Sequence, residues 1–194
     1  MKLDMLVNKT HPLDKDYVPE DLVIYTEYNG PKIDPNYKTM VDRETFNAFL
    51  EMQEAAKKDG HYIIIDSGYR SYEYQQKVLE DTISKKGESA YSTVALPGTS
   101  EHQTGLAIDV ALYRDTIYTD EFDENDPEII WLRDNSYKYG FILRYPKGSE
   151  EVTGFNYECW HFRYVGKDIS YKMHDEGIST LEEYHEKYTK GIKL

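Results

Sequence analysis

The run Ser100-Glu101-His102-Gln103-Thr104-Gly105-Leu106-Ala107-Ile108-Asp109 and, roughly fifty residues further on, Glu158-Cys159-Trp160-His161 carry the residue types from which a metal centre is built. His102 and His161 offer imidazoles, Asp109 a carboxylate suited to a metal, and Glu158 a second carboxylate left for proton work. Three protein ligands with one position open to water is the composition of a catalytic zinc site. Each residue alone has a plainer role, since an isolated His is more often hydrogen-bonded or at the surface and an isolated Asp ends a strand. The weight lies in the combination.

Spacing dictates how such a site is assembled. In a continuous strand His102 and Asp109, an odd number of positions apart, face opposite sides of the sheet. Gly105 lies between them and tolerates the backbone angles that let a chain turn or bulge. The expectation is therefore His102 on a loop and Asp109 inside a strand over 106–112. Glu158 and His161, three apart, share a side only across a turn or one helical turn, which predicts an irregular 157–160 and a strand over 162–165.

The remaining elements must present these residues. An extended arm over 1–20 holds Pro12 and Pro19, a short strand covers 22–25, and Asn29-Gly30-Pro31 signals a turn. Apolar residues at near-helical period from Val41 through Phe49 and Met52 to Ala56, followed by Gly60, predict a core-facing helix over 41–58. Ile63-Ile64-Ile65 reads as a buried strand over 61–66 running into Ser67-Gly68-Tyr69-Arg70. Arg70 then sits at the strand end, Ser71 caps a helix over 72–86, and Gln75 lies one turn in. The loop 87–98 forms a wall of the cleft.

The segment 113–127 is acidic and turn-rich, with Asp115, Asp120, Glu121, Asp123, Glu124 and Asp126, but their order does not match a calcium loop and a solvated surface excursion is expected. A helix capped by Asp126 starts at Pro127 and runs to about Tyr139, Gly140 ends it, and a strand follows over 141–145. Lys147-Gly148-Ser149 and Gly154 mark the loop that delivers Glu158, and Thr180 with Glu183 forms a capping box that opens a C-terminal helix. The sum is one α+β domain over 1–194: a small, mainly antiparallel sheet carrying the metal ligands, with helices packed on one face.

Ser-x-His-x-x-Gly-x-Ala-x-Asp followed by Glu-x-Trp-His resembles the signature of the VanY-type D-alanyl-D-alanine carboxypeptidases and related D,D-dipeptidases, zinc enzymes that trim peptidoglycan stems or their precursors. The block Ser67-Gly68-Tyr69-Arg70-Ser71 with Gln75 matches as well, as do the flanks Leu96-Pro97-Gly98, Gly140-Phe141-Ile142-Leu143-Arg144-Tyr145 and Phe162-Arg163-Tyr164-Val165-Gly166. Leu6-Val7-Asn8-Lys9 and Thr180-Leu181-Glu182-Glu183-Tyr184 fit the short, soluble, bifunctional members, so the resemblance spans nearly the whole chain.

The resemblance implies one zinc ion held by His102, Asp109 and His161, with Glu158 taking a proton from water and handing it to the departing amine. It implies that Arg70 steadies the oxyanion or a substrate carboxylate, and that Gln75, Ser100, Tyr69, Ser67 and Trp160 line the substrate site, Trp160 as a wall that orients His161. The implied substrate is a D-alanine-terminated peptide or peptidoglycan precursor, in glycopeptide resistance or in wall maturation. An L,D-carboxypeptidase acting on tetrapeptide stems shares the same blocks, and a non-catalytic wall-peptide binding module is the rival from another class. Glu158, which a closed structural zinc site does not need, counts against that module.

Glu101 rivals Glu158 as base and is read as structural or as support for the ligands. Cys159 is read as a packed, small apolar residue pointing away from the metal, and His11, His61, His174 and His185 lie outside every motif.

Composition bounds the rest. Charged residues make up 30% and hydrophobic ones 39%, which suits a globular protein, and the 19 tyrosines are assigned mainly to amphipathic surface packing. A formal net charge of -13 argues against nucleic acid and anionic membranes as partners, so an anionic substrate needs local cations, for which Arg70, Arg144 and Arg163 are the candidates. The lone Cys159 excludes an internal disulfide. With no apolar leader in 1–10 and no run of transmembrane length, the expectation is a cytoplasmic protein, or an exported or anchored one whose leader lies outside these residues. The oligomeric state is not legible.

Overall fold

The computed structural model describes residues 2–27, 38–114, 117–119 and 121–188. The turn signal Asn29-Gly30-Pro31 and the acidic Asp115 and Asp120 lie outside these. Strand β1 (Leu22–Ile24) pairs antiparallel with β2 (Met40–Asp42), and helix α1 (Arg43–Lys58) follows directly. Then come β3 (Ile63–Ser67), α2 (Tyr72–Lys86), β4 (Ala107–Arg114), β5 (Ile117–Thr119), α3 (Pro127–Asn135) and β6 (Phe141–Leu143). A single-turn α4 (Glu150–Thr153), β7 (His161–Tyr164), α5 (Lys167–Asp175) and α6 (Leu181–Tyr188) complete the order. The second sheet runs β3-β4-β7-β6 with β5 against β4, and every pairing is antiparallel. The mixed helix-and-sheet class with small antiparallel sheets is the one expected.

Strands β3, β4, β6 and β7 shift by one or two residues at their ends from the sequence reading, and three differences go further. Met40–Asp42 is a strand, because Val41 is apolar for its pairing with Val23, and the Asp42 carboxylate accepts from the Glu44 and Thr45 N–H groups to start α1 only at Arg43. The acidic stretch is no pure loop either: β4 continues to Arg114, and β5 folds back on it with Leu112 opposite Thr119, a pairing with no local signature. Helix α3 ends at Asn135 and a 3-10 turn (Ser136–Tyr139) leads to left-handed Gly140. Two of the three predicted side-chain caps form: Ser71 Oγ accepts from the Tyr74 N–H at 3.1 Å, and Thr180 and Glu183 exchange backbone-to-side-chain bonds. Asp126 stands at the N-cap of α3 but makes no side-chain cap bond to the helix, its carboxylate accepting from the Asp123 N–H instead.

The register of β4 against β7 places Ile108 opposite Phe162 and Asp109 opposite His161. Since successive strand residues alternate faces, Ile108 and Phe162 turn into the core shared with Phe49 and Met52 of α1, leaving Asp109 and His161 together on the other face. Burying each such large apolar side chain contributes about 1.5–3 kcal/mol, so slippage by one residue is strongly disfavoured. Among the described residues no helix is long and apolar enough to cross a membrane.

Gly68, just past β3, shows how closely the elements approach. A Cβ there would stand 2.1 Å from the Met40 carbonyl oxygen of β2, while the next residue, Tyr69, donates its N–H to that same oxygen. Gly68→Ala is expected to lower stability by about 1–3 kcal/mol through forced backbone movement, read as a reduced urea midpoint. An unchanged midpoint would mean the two segments part at no cost.

Candidate metal centre and catalytic site

His102 lies in a 3-10 turn (Glu101–Thr104) that ends at Gly105, whose φ of 72° is the left-handed break needed between the histidine and β4. The turn is tied to the end of β3 twice. His102 Nδ1 donates to the Gly68 carbonyl at 2.7 Å, and the Arg70 N–H donates to the His102 carbonyl at 3.1 Å. The first bond leaves Nε2 as the free lone pair, facing Asp109 Oδ2 at 3.2 Å. Burial, aided by Arg70, lowers the His102 pKa to about 4, so the imidazole is neutral, as a ligand must be.

His161 opens β7 after the irregular 156–160, with its N–H donating to the Glu158 carbonyl at 3.3 Å and the Glu158 N–H to the Tyr145 carbonyl at 3.2 Å. Its Nδ1 meets Asp109 Oδ1 at 3.0 Å and Glu158 Oε2 at 3.7 Å. One ligand atom each from His102, Asp109 and His161 lies within 4.8 Å of the others, so the trio fits a single divalent ion.

Burial lowers the His161 pKa, but Asp109 and Glu101 outweigh it and push it up to about 9. Glu158 is raised to about 7, chiefly by burial, which suits a group that takes and returns a proton near neutrality. Asp109 is held well below the usual carboxylate range: its burial is outweighed by the two histidines.

These groups open on a cavity of about 400 Å³ that Arg70, Gln75, Ser100 and Trp160 also line. Arg70 Nη2 donates to Asp109 Oδ2 at 2.8 Å, Nε to Ser67 Oγ at 3.1 Å and Nη1 to Gln75 Oε1 at 3.1 Å, while Gln75 donates to the Ala95 carbonyl. Ser67 and Tyr69 are outside the cavity lining; Ser67 supports the guanidinium and Tyr69 is buried beside β2. Thr93, Val94 and Ala95 form the wall expected from the 87–98 loop.

Two of the three candidate cations are corrected. Arg144 and Arg163 are fully buried and both donate to Glu101 Oε1, at 2.8 and 2.7 Å, so they neutralise an internal carboxylate and are closed to substrate. Cys159 lies buried on a separate pocket with Phe122 and Tyr157, away from the metal-ligand trio, its thiol pushed up to about 11 by burial. Sequence reading passed over Tyr145, whose buried ring lines the cavity 4.8 Å from that of His161; its place in the Arg144-Tyr145 flank was the available signal. His11, His61, His174 and His185 stand elsewhere, His61 against Trp131 and His174 stacked on Tyr137.

The VanY profile, D-alanyl-D-alanine carboxypeptidase, matches residues 38–167. The chain belongs to this family. The Bacillus subtilis protein YodJ is 44% identical over 188 residues, covering 95% of this chain and 67% of its own length. VanXYC of Enterococcus gallinarum, a bifunctional D-Ala-D-Ala dipeptidase and carboxypeptidase, is 36% identical over 97% of this chain and 96% of its own. Among solved structures, VanYB in complex with D-alanine-D-alanine superposes with a TM-score of 0.80 at 34% identity, over 96% of this chain and 99% of that one. A VanY D,D-pentapeptidase in complex with Zn(II) gives 0.79 at 32%, over 95% and 99%. The L,D-carboxypeptidase LdcB gives 0.79 at 40%, over 93% and 84%.

For a VanY-family site of this geometry, uptake of a metal through His161 Nδ1 must displace the proton held there. Below a pKa of about 9 the apparent affinity therefore falls as pH falls, by about tenfold per unit. Calorimetry of zinc binding at pH 7 in buffers of different ionisation enthalpy is expected to report release of about one proton; no release would contradict a protonated His161.

Proposed function

We propose that residues 1–194 form one zinc-dependent D,D-carboxypeptidase/dipeptidase domain that releases C-terminal D-alanine from peptidoglycan stem peptides or from D-Ala-D-Ala. The observation that carries this reading is the placement of Glu158, poised near neutrality, beside the His102, Asp109 and His161 trio on one open cavity. Zinc, when bound, supplies a Lewis acid that polarises the scissile carbonyl and lowers the pKa of water.

Glu158 accepts the proton of the attacking water as its oxygen bonds to the carbonyl carbon, and returns that proton to the D-alanine amine as the C–N bond breaks. Arg70, braced by Ser67 and Gln75, brings its cation to the cavity edge, where it stabilises the developing oxyanion or the substrate carboxylate. Ser100 and Trp160 contact the peptide along the cavity wall, and Tyr69 fixes the loop that carries Arg70.

The similarity to LdcB supports a second reading, an L,D-carboxypeptidase that removes D-alanine from a tetrapeptide stem. Mass spectrometry after incubating zinc-loaded protein with D-Ala-D-Ala, a stem pentapeptide and a stem tetrapeptide separates the two. Loss of D-alanine from dipeptide or pentapeptide is expected; loss from the tetrapeptide alone assigns L,D activity, and no chelator-sensitive loss leaves only a binding module. Glu158→Ala is expected to retain zinc and lose about 10²–10⁴-fold in kcat, and unchanged turnover removes Glu158 from the reaction.

A further inference from the structure

Among the described residues, few buried side-chain polar atoms lack a hydrogen-bond partner, and two of these face one another: Glu101 Oε2 and His161 Nε2, 3.7 Å apart. Neither has an alternative. Glu101 is 1% exposed and its other oxygen, Oε1, already accepts from both Arg144 and Arg163. The other ring nitrogen of His161 is turned to Asp109 and Glu158, on the side where the ligand trio converges. A neutral imidazole that gives the Nδ1 lone pair to a metal must carry its proton on Nε2, and a buried N–H needs an acceptor.

We propose that Glu101 is the positioning residue of the metal centre: its Oε2 takes the Nε2–H of His161, fixing the tautomer and ring orientation in which Nδ1 is the ligand. The inference rests on the zinc reading above. The two histidines are then supported differently, His102 by the neutral Gly68 carbonyl at 2.7 Å and His161 by a full negative charge. A carboxylate behind a ligand histidine raises its basicity and holds its plane.

Glu101 is itself held from outside the site. Arg144 reaches on to Glu182 of α6 through two bonds of 2.8 and 2.7 Å, and Arg163 donates to the Leu3 and Met5 carbonyls of the N-terminal arm. The two arginines occupy Oε1 and leave Oε2 for the histidine, a role for Glu101 distinct from the one proposed for Glu158.

The test compares zinc affinity, by competition with a chromophoric chelator, and the ¹⁵N-histidine NMR spectrum of the zinc-loaded protein. Glu101→Gln keeps the shape and removes the charge; Glu101→Asp keeps a charge for the arginines and withdraws it from the histidine, which guards against a variant that fails to fold. Both are expected to weaken zinc binding by about 10–100-fold and to move or abolish the His161 Nε2–H signal. Glu182→Gln, which loosens Arg144 without touching His161, is expected to lower the melting temperature while zinc affinity stays within a few-fold. Zinc affinity and the Nε2–H signal unchanged in both Glu101 variants would overturn the proposal, as would an equal loss of zinc in Glu182→Gln. Failure of the unaltered protein to bind zinc would instead overturn the zinc reading itself.

Discussion

A single register, with Asp109 of β4 directly opposite His161 of β7, is the constraint on which the site depends. It is set from behind: Ile108 and Phe162, each one residue removed, are fully buried against α1. The hydrophobic effect thus fixes the pairing, and the pairing brings a carboxylate and an imidazole within 3.0 Å. His102 is added from a turn, since its distance from Asp109 along the chain has the wrong parity for a strand. The left-handed Gly105 supplies the break, and the Gly68 carbonyl sets the ring nitrogen that remains free.

Electrostatics then divides the buried charges into two neighbouring groups. On the cavity side stand Asp109, Glu158, the histidines and Arg70, the last only partly buried. Behind them Glu101, Arg144 and Arg163 form a closed cluster with Glu182 at its edge. Burial opposes ionisation of Glu101, but Arg144 and Arg163 outweigh it and hold the carboxyl below its ordinary range. Its folded-state pKa being depressed, the stability it contributes is present above the ordinary glutamate range and lost as pH falls. Charges so deeply buried are tolerated only as a fully paired set. That set ties the N-terminal arm and α6 to the strand carrying His161.

At Arg70, positioning and contact fall to different residues. Each of its three nitrogens donates one bond, to Ser67, Gln75 and Asp109, which leaves two of the five N–H groups beyond these bonds, so two residues of the motif serve to aim a third. A guanidinium held in this way arrives oriented, which lowers the entropic cost of presenting it to a carboxylate or oxyanion.

The residues that gather at the candidate site, His102, Asp109, His161 and Glu158, and the broken period between His102 and Asp109 were legible in the sequence because residue type, parity and Gly105 are local properties of the chain. Caps at Ser71 and at Thr180 with Glu183 were legible for the same reason. The strand character of Met40–Asp42 and of Ile117–Thr119 was not, since both short segments become strands only through partners elsewhere. Nor could spacing reveal that Arg144 and Arg163 turn inward, an outcome that depends on burial and on their contacts with Glu101, distant in the chain. Sequence determined which chemistry this protein is equipped to do, and tertiary structure alone decided which charges face the cavity and which are spent on one another, because desolvation acts only after distant segments have packed.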